Sequence, residues 1–337
     1  MVSIHDVARA SGVSPATVSR ALRGLAYVSD ATRARVRSAA DELGYVPSSV
    51  ASGLVTGLSM TVAVVVPFLG RWYYTTVIQG VDDVLRPAGY DMLVLNLGDS
   101  NGTRERDFHH AMLRRRVDAM IVLAFNCTPG ELAQLNSAPV PAIAVGGDVD
   151  GMRSLGVDDR EATTLAVRHL LDLGHRRIAH VGGDDPVGLN AHVPQERQSR
   201  WREVLQEAGV SPAADWFVNG GFVLERAFPA ALELLRDPGH RPTAVFAGSD
   251  EMAFGVILAA RELGLRVPED LSVVGIDDHD FSATFGLTTV RQDPVDQGRR
   301  AALEVLDVLR GLPLVRSRTT ASCELVVRRT TAPPPPA

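Results

Sequence analysis

The spacing of apolar residues changes at about residue 60. Before that point apolar residues recur every three to four positions, as Ile4, Val7 and Ala8 do, which is typical of short amphipathic helices. Beyond it, uninterrupted apolar runs alternate with amphipathic helical stretches, and 62–66 is the first such run. Continuous apolar strands between helices indicate parallel sheets covered on both faces. The sequence therefore predicts a small all-α unit followed by a large α/β unit.

The α/β unit contains two series of apolar runs. The first series comprises 62–66, 92–95, 120–123 and 142–145, and the second comprises 178–181, 244–247 and 273–276. Two parallel sheets flanked by helices, with chain crossings between them, leave a cleft. We expect a domain over 60–331, with lobe 1 at about 60–158 and 291–320 and lobe 2 at about 159–290 and 321–331. The proline-rich tail at 332–337 is expected to be disordered.

The first 46 residues predict a three-helix unit that contains a helix-turn-helix. Gly12 ends the first helix, because glycine adopts a positive φ at little cost. Ser14 is suited to cap the second helix and Pro15 to its first position. A third helix should begin after Asp30, as its cap, and end at Gly44. A hinge segment over 47–59 then leads to the α/β unit.

Charge is distributed unevenly between these units. The chain has a net charge of −6, yet residues 1–57 contain six arginines against four acidic residues, a net of +2. The remaining 280 residues therefore carry −8. DNA affinity comes largely from cationic side chains that displace counterions from phosphate. A basic head on an acidic body fits a protein that touches DNA through its head alone.

The polar face of the second helix has the dimensions and chemistry of a DNA reader. A helix of eight residues is about 12 Å long, and the major groove is about 12 Å wide. Arg20 can pair with guanine through two hydrogen bonds, whereas Pro15 and Ala16 offer only apolar contact, for example to a thymine methyl. The neighbouring hydroxyl groups can hold the helix on phosphates.

Four motifs in this head resemble one known family. They are Ile4-His5-Asp6-Val7-Ala8, the stretch from Gly12-Val13-Ser14-Pro15 to Ser19-Arg20, Val28-Ser29-Asp30-Ala31-Thr32-Arg33, and Glu42-Leu43-Gly44-Tyr45-Val46-Pro47. The head is similar to the lactose-repressor/galactose-repressor (LacI/GalR) family; the alternative is a helical bundle that only packs. The resemblance implies DNA contacts from Ser3, Ser14, Pro15, Ala16, Thr17, Ser19, Arg20, Arg23, Arg33 and Leu54.

The hinge departs from that family's pattern. The resemblance implies that Leu54 is pushed into the minor groove from a hinge helix that folds on DNA. The family usually carries basic residues there, whereas this chain has Ser52, Val55 and Leu58, and Gly53 weakens a helix. Whether the hinge helix forms on DNA is left open by the sequence.

The α/β unit resembles the type I periplasmic-binding-protein fold, which serves the same family as a sensor. Ligands of parallel α/β sheets bind beyond the carboxyl ends of the strands. The resemblance places effector contacts at Tyr73, Tyr74, Arg197, Phe222, Ser249 and Asp277. Aromatic faces suit sugar C–H groups, and a carboxylate with a guanidinium suits paired hydroxyls. We therefore expect a sugar or a sugar derivative as the effector.

Several neighbouring residues have more than one interpretation. Asp250 and Asp278 can equally cap a helix or hold the turn at a strand end. Arg71 favours a phosphorylated or acidic effector if it faces the cleft, but an arginine beside Trp72 is as often a surface stack. His109 and His110 lie in an amphipathic stretch and indicate a solvated face rather than a metal site.

Other functional classes are disfavoured. Only Cys127 and Cys323 occur, without the spacing of a zinc site or a disulfide framework. No apolar run approaches the roughly 18 residues of a membrane span, and the N-terminus does not read as a signal peptide, so we expect a cytoplasmic protein without a membrane partner. No catalytic triad or dinucleotide loop indicates an enzyme, a cofactor or a metal.

These observations predict a DNA-binding transcription regulator and repressor. It should act as a homodimer on a pseudo-palindromic double-stranded operator, because one short recognition helix per head is too little for specific binding alone. The rival classes are a transport-linked binding protein and an α/β enzyme. The operator, the effector's identity and the sign of its action are not given by the sequence.

Overall fold

The computed structural model describes residues 2–22, 27–45, 58–97, 117–123, 130, 133, 140–147, 149, 151–183, 192–315 and 317–336. Arg23, Leu54, His109, His110 and Cys127 fall outside these residues, as does most of the hinge segment. The chain forms two compact units, residues 1–60 and 61–337. Within the described ranges, no helix is both long and apolar enough to cross a membrane.

The first unit is a three-helix bundle. Helices α1 (Ile4–Ser11), α2 (Pro15–Leu22) and α3 (Asp30–Leu43) pack around a small core. That core consists of Val7, Ala8, Val18, Ala21, Val36, Ala39 and Ala40. The predicted boundaries are confirmed at Gly12 and Gly44, which have φ of 68° and 63°, and at Ser14, whose Oγ accepts a hydrogen bond from the Thr17 amide at 3.2 Å.

The start of α3 differs from the prediction by one residue. Ser29, not Asp30, is the cap: it has an extended backbone, and its Oγ accepts a hydrogen bond from the Thr32 amide at 3.3 Å. Asp30 is the first helical residue, and its carboxylate lies 3.3 Å from an Arg33 nitrogen. A serine at the cap satisfies an amide that would otherwise lack a partner, while an acid in the first turn complements the helix dipole.

Lobe 1 of the second unit is a six-stranded parallel sheet. Its strands are β1 (Thr61–Val66), β2 (Asp91–Asn96), β3 (Ala119–Leu123), β4 (Ala142–Val145), β5 (Arg153–Val157) and β11 (Arg318–Ala321), in the order β11-β5-β4-β3-β1-β2. Helices α4 (Trp72–Leu85) and α10 (Pro294–Leu309) cover one face. The β1, β3 and β4 strands are almost wholly buried, as uninterrupted apolar runs predict.

Lobe 2 holds the second sheet, also of six strands. They are β6 (Ile178–Gly182), β7 (Phe217–Asn219), β8 (Ala244–Ala247), β9 (Ser272–Asp277), β10 (Thr288–Arg291) and β12 (Glu324–Val326), in the order β12-β10-β9-β8-β6-β7. The surrounding helices are α5 (Asp159–Asp172), α6 (Val193–Glu207), α7 (Leu224–Leu235), α8 (Asp250–Glu262) and the short α9 (Ser282–Phe285). The β12 strand runs antiparallel to β10, so this sheet is mostly rather than wholly parallel.

Three chain crossings join the lobes, after β5, after β10 and between β11 and β12. The last crossing is short: two residues separate β11, which is parallel to its neighbour in lobe 1, from β12, which is antiparallel to its neighbour in lobe 2. The chain after β12 also differs from the expected disordered tail. Ala332 exchanges hydrogen bonds with the Ser272 hydroxyl at 3.0 Å, and its carbonyl lies 2.8 Å from His175 Nε2.

Helices α4 and α10 approach each other unusually closely. A Cβ atom placed on Gly80 would overlap the carbonyl of Val295, and one placed on Gly298 would overlap the carbonyl of Val77. Only glycine allows two helix backbones to meet at this distance. The first turn of α4 carries the tyrosines of the cleft, so this contact fixes where those side chains lie in lobe 1.

Candidate functional site

The cleft between the two lobes holds a pocket with about 660 Å³ of empty space, part of which is open to solvent. All six residues predicted to contact an effector line it: Tyr73, Tyr74, Arg197, Phe222, Ser249 and Asp277. They converge because each follows the carboxyl end of a strand or begins the helix after it. The two tyrosines come from lobe 1 and the other four from lobe 2.

Arg197 is the fixed cation of the cleft. Its side chain is buried on α6, and it reaches back to Asp159, the first residue of α5, with Nε and Nη2 lying 2.8 Å and 2.7 Å from Oδ1. Nη1 donates to the carbonyl of Gly248. These contacts use three of the five guanidinium N–H groups and aim the others. Asp159 itself lines the cleft, which the sequence analysis did not anticipate.

Asp277 lies at the carboxyl end of β9 and is joined to lobe 1 by an amide relay. Gln292 Nε2 donates to its Oδ1 at 2.7 Å. Gln297 Nε2 donates to Gln292 Oε1 at 3.2 Å, and the Tyr73 hydroxyl donates to Gln297 Oε1 at 2.9 Å. In this series of three hydrogen bonds, each donor lies on the Tyr73 side and each acceptor on the Asp277 side. The phenol proton of Tyr73 is thereby committed, so its oxygen can only accept a hydrogen bond from a molecule in the cleft.

Backbone strain is concentrated at the lobe 2 side of the cleft. Among the described residues of the second unit, the non-glycine residues with positive φ are His192, Phe222, Asp277 and Asp278, at 44°, 58°, 135° and 58°. Phe222 and Asp277 line the cleft, and His192 precedes Val193, which also does. Such conformations cost of order 1–3 kcal/mol each and collect at functional sites.

Aromatic rings shape the lobe 1 wall. The Tyr73 ring lies against Gly146, which has a φ of 79° and where a Cβ would overlap the phenol. Tyr74 meets Tyr73 edge-on at 5.4 Å and is itself largely within the lobe 1 core. Trp72 crosses to lobe 2: its ring lies 4.7 Å from that of His279, and its Nε1 donates to Asp280 at 3.3 Å.

Burial changes the titration of the acidic groups. Burial raises the pKa of Asp277 to about 6, although Arg197 and the hydrogen bond from Gln292 oppose the change. Burial also raises the pKa of Glu251, which lines the cleft, to about 7, with repulsion from Asp277 adding to the effect. The pKa of the Tyr73 phenol is raised by burial as well, so its proton stays in the relay at neutral pH.

Two of the open alternatives are decided by hydrogen bonds. Asp250 is buried and accepts hydrogen bonds from the His279 amide and from the hydroxyls of Ser282 and Thr289, at 2.6–3.0 Å. It therefore holds the segment after β9.

Asp278 pairs with Arg291 and Arg328 and likewise has a structural role. Arg71 both lines the cleft and stacks on Phe68, with its guanidinium carbon 4.0 Å from that ring's centroid.

Most of the described residues predicted to touch DNA lie on α2 or at its start, while Ser3 precedes α1 and Arg33 lies on α3. Ala16 and Arg20 are exposed on α2, while Pro15, Thr17 and Ser19 are partly exposed there. The remaining described ones are held by local bonds. Ser14 and Thr17 share a hydroxyl hydrogen bond at 2.9 Å, Ser3 Oγ donates to Asp6 at 2.7 Å, and Arg33 bonds to Asp30 and the carbonyl of Val28.

Comparison with known proteins agrees with this arrangement of units. Residues 3–48 match the family model described as bacterial regulatory proteins, lacI family, and residues 167–331 match that of the periplasmic binding protein-like domain. Catabolite control protein A of Priestia megaterium is 33% identical over 303 residues, which cover 88% of this chain and 89% of that protein. The chain belongs to the LacI family.

Other LacI-family proteins match over nearly the full length. The repressor PurR of Vibrio vulnificus is 31% identical, covering 98% of both chains, and the repressor CytR of Escherichia coli is 31% identical, covering 98% of this chain and 96% of its own. The Lac repressor dimer bound to operator and the anti-inducer ONPF superposes with a TM-score of 0.86 at 29% identity, covering 98% and 99% of the two chains.

A complex of the regulator CelR with cellobiose gives a TM-score of 0.72 at 29% identity, covering 98% of this chain and all of its own. The matched proteins are transcriptional regulators, and this LacI-family chain is a regulatory protein rather than an enzyme.

Sequence reasoning missed several residues that line or support the cleft. Glu251 adjoins Asp250, which was singled out, and both Asp159 and Glu251 lie just beyond a strand end, so the strand-end rule could have found them. Gln292 also follows a strand, β10. Gln297 lies within α10 and carries no such signal, whereas Gly146 directly follows β4 and carries it. Their roles come from contacts with Tyr73, which is 224 and 73 residues away in sequence.

Proposed function

We propose that this LacI-family protein is a transcriptional repressor whose affinity for operator DNA is set by a sugar or sugar derivative bound in the cleft. One observation carries the proposal: a LacI-type helix-turn-helix and a cleft walled by two lobes occur in the same chain. The first unit supplies a reader of DNA, and the second supplies a pocket lined by charged, polar and aromatic side chains from both lobes.

The cleft's chemistry supports a ligand rich in hydroxyl groups. Carboxylates of Asp159 and Asp277 and the Tyr73 oxygen accept hydrogen bonds, while the remaining N–H groups of Arg197 donate them. The Ser249 oxygen accepts from the Met252 amide, which leaves its own proton to donate. Aromatic faces complement sugar C–H groups. The similarity to the CelR structure, which contains cellobiose, points the same way.

DNA recognition is proposed to require two copies of the chain. Each recognition helix has eight residues, so two heads on a pseudo-palindrome double the contacts that one head can make. The similarity to the Lac repressor dimer bound to operator supports this assembly. We place the protein in the cytoplasm, where it reaches the chromosome.

Control would come from the lobes. A ligand gripped by Tyr73 in lobe 1 and by Asp277 and Arg197 in lobe 2 favours one lobe angle over others. It can change DNA affinity only to the extent that it binds the two conformations differently. A ligand that weakens operator binding would be an inducer, and a ligand that strengthens operator binding would be a co-repressor.

The experiment that tests this function has two steps. Purified protein is first incubated with fragmented chromosomal DNA, and the retained fragments are sequenced; we expect a common pseudo-palindromic site. A retained fragment is then titrated with protein at fixed salt in the presence of a panel of sugars. We expect one sugar or a related group to shift the operator affinity at least fivefold. Retention without a common site, or affinity that no panel member changes, would count against the proposal.

Arg20 and Arg33 provide a matched test of base reading. If Arg20 pairs with guanine, Arg20→Ala should cost roughly 1–3 kcal/mol of discrimination at one base pair in each half-site. Arg33, held by Asp30, should at most approach phosphate, so that Arg33→Ala weakens all sequences alike. Binding to operators with single base changes separates the two effects. If Arg20→Ala weakens binding to every operator sequence by the same factor, Arg20 does not read a base.

A further inference from the structure

Within the part of the chain that the structure describes, Glu251 is the acidic residue of the cleft without a hydrogen bond to its carboxylate. It is the second residue of α8, is half-buried and lines the cleft. Among the described residues, nothing donates a hydrogen bond to its carboxylate or forms an ion pair with it. By contrast, Asp250 next to it accepts three hydrogen bonds, and Asp159 holds Arg197.

The surroundings of Glu251 disfavour its charge. Asp277 from β9 and Glu225 from α7 repel it, and Arg71 at the start of α4 attracts it. Burial, the largest of these effects, acts together with the two repulsions and against Arg71, and raises the pKa of Glu251 to about 7. The carboxylate is only half-buried and borders the open cleft, where a bound ligand could donate a hydrogen bond to it.

We propose that Glu251 is a specificity-determining residue that accepts a hydrogen bond from a hydroxyl of the effector and rejects effectors with a phosphoryl or carboxylate group at that position. This inference rests on the proposed function, in which the cleft binds a sugar. Three carboxylates, those of Asp159, Glu251 and Asp277, line the cleft with two guanidinium groups, so its formal charge is −1. Arg197 is already engaged by Asp159, so an anionic ligand meets net repulsion.

The first test needs no ligand. Glu251→Gln keeps the shape of the side chain and removes a charge that burial and two neighbouring carboxylates disfavour, so the melting temperature at pH 8 should rise by about 2–4 °C. At pH 5 the wild-type carboxyl is already protonated, and the shift should vanish. Asp250→Asn is the matched control and should lower the melting temperature at both pH values, because it removes an acceptor that serves three donors. A lower melting temperature for Glu251→Gln at pH 8 would overturn the inference.

The second test uses pairs of probes that differ by one phosphoryl group. Wild type, Glu251→Gln and Glu251→Lys are each examined by thermal shift and calorimetry with glucose and glucose 6-phosphate, and with ribose and ribose 5-phosphate. A sugar bound by wild type should bind Glu251→Gln at least tenfold more weakly, and its phosphate should bind only Glu251→Lys.

Wild type that binds a phosphate more tightly than its parent sugar would refute the inference while leaving a sugar-responsive repressor intact. The inference would also be refuted, with the repressor function intact, if wild type and Glu251→Gln bound a parent sugar with affinities within twofold of each other. If the sugars bind as expected but change no operator affinity, the proposed function fails and the role of Glu251 in binding stands.

Discussion

The two walls of the cleft are built on different principles. Lobe 1 presents rings, backbone and neutral amides: Tyr73, Tyr74, Gly146 and Gln292, with Arg71 at its edge. Lobe 2 presents ionised groups on strained or capped backbone, namely Asp159, Arg197, Glu251 and Asp277. In lobe 2, Arg197 is held by Asp159 and by the carbonyl of Gly248, both within that lobe, whereas Tyr73 is oriented by a relay that crosses between the lobes to Asp277.

This difference suggests a division of labour in binding. Lobe 2 is organised before a ligand arrives, so it can supply most of the polar binding free energy with little loss of side-chain entropy. Lobe 1 supplies shape and closes the site. Changes in lobe 2 should therefore produce larger effects than changes in lobe 1, and the predictions below are ordered accordingly.

The largest expected effect follows from breaking the buried ion pair of lobe 2. Arg197→Leu leaves the Asp159 carboxylate buried without its partner, which typically costs about 3–5 kcal/mol in the free energy of unfolding. Denaturant titration measures the loss. The double variant Arg197→Leu with Asp159→Leu should recover most of it, because no isolated charge is left. A loss below about 1 kcal/mol for the single variant would mean that lobe 2 is not organised by this pair.

Next is the loss of the effector response in Asp277→Ala. Hydrogen bonds to a charged group contribute about 1.5–3 kcal/mol each, so losing two of them should weaken sugar binding about 100-fold or more. The effector-free affinity for operator DNA should stay within about twofold of wild type, which corresponds to about 0.4 kcal/mol. Operator titrations of both proteins, with and without the sugar, measure this. A full ligand response in the variant, or loss of DNA binding without ligand, would exclude Asp277 from the effector site.

The acidic groups of lobe 2 also predict opposite effects of pH on stability and on binding. The folded pKa of Asp277 (about 6) and of Glu251 (about 7) lie above their ordinary values of 3.8 and 4.5. The stability they contribute is complete below about pH 4 and is lost as the pH rises through 6 and 7.

A ligand that donates hydrogen bonds prefers the ionised forms. Sugar affinity should therefore fall as the pH is lowered through 7 and 6, by up to about tenfold per pH unit for each proton taken up. Calorimetry from pH 5 to pH 8 measures it. The double variant Asp277→Asn with Glu251→Gln should show residual binding without this dependence, and a dependence that survives in it would assign the titration to other groups.

The smallest expected effects concern the relay in lobe 1. Tyr73→Phe and Gln297→Leu cut the same hydrogen bond, worth about 0.5–1.5 kcal/mol net, so each should reduce sugar affinity about tenfold or less. Because both changes act on one link, the double variant should lose less than the sum of the two. Additive losses would show that the two side chains act on the ligand independently.

Much of this arrangement could be predicted because local rules generate it. Strand-end positions brought Asp277, Ser249 and Phe222 together correctly, since parallel strands end at one edge of a sheet. The predictions that were wrong concerned features that depend on contacts between distant segments or on competition between neighbouring residues. Ser29 competes with Asp30 for the cap of α3, and the carbonyl of Ala332 forms a hydrogen bond with His175, 157 residues away in sequence. A proline-rich composition predicts that the tail does not pack. It carries no information on the distant residues with which the tail forms hydrogen bonds.

The contact between α4 and α10 has a consequence for how this sensor can diversify. Gly80 and Gly298 each abut a backbone carbonyl of the other helix, so a larger residue at either position would separate the helices and shift the whole tyrosine wall at once. Such a shift would disturb every ligand contact made by lobe 1 at once, so effector specificity could not change in small steps by this route. New specificities are therefore expected to arise through exchanges of single side chains in lobe 2, around a lobe 1 wall whose position is inherited unchanged.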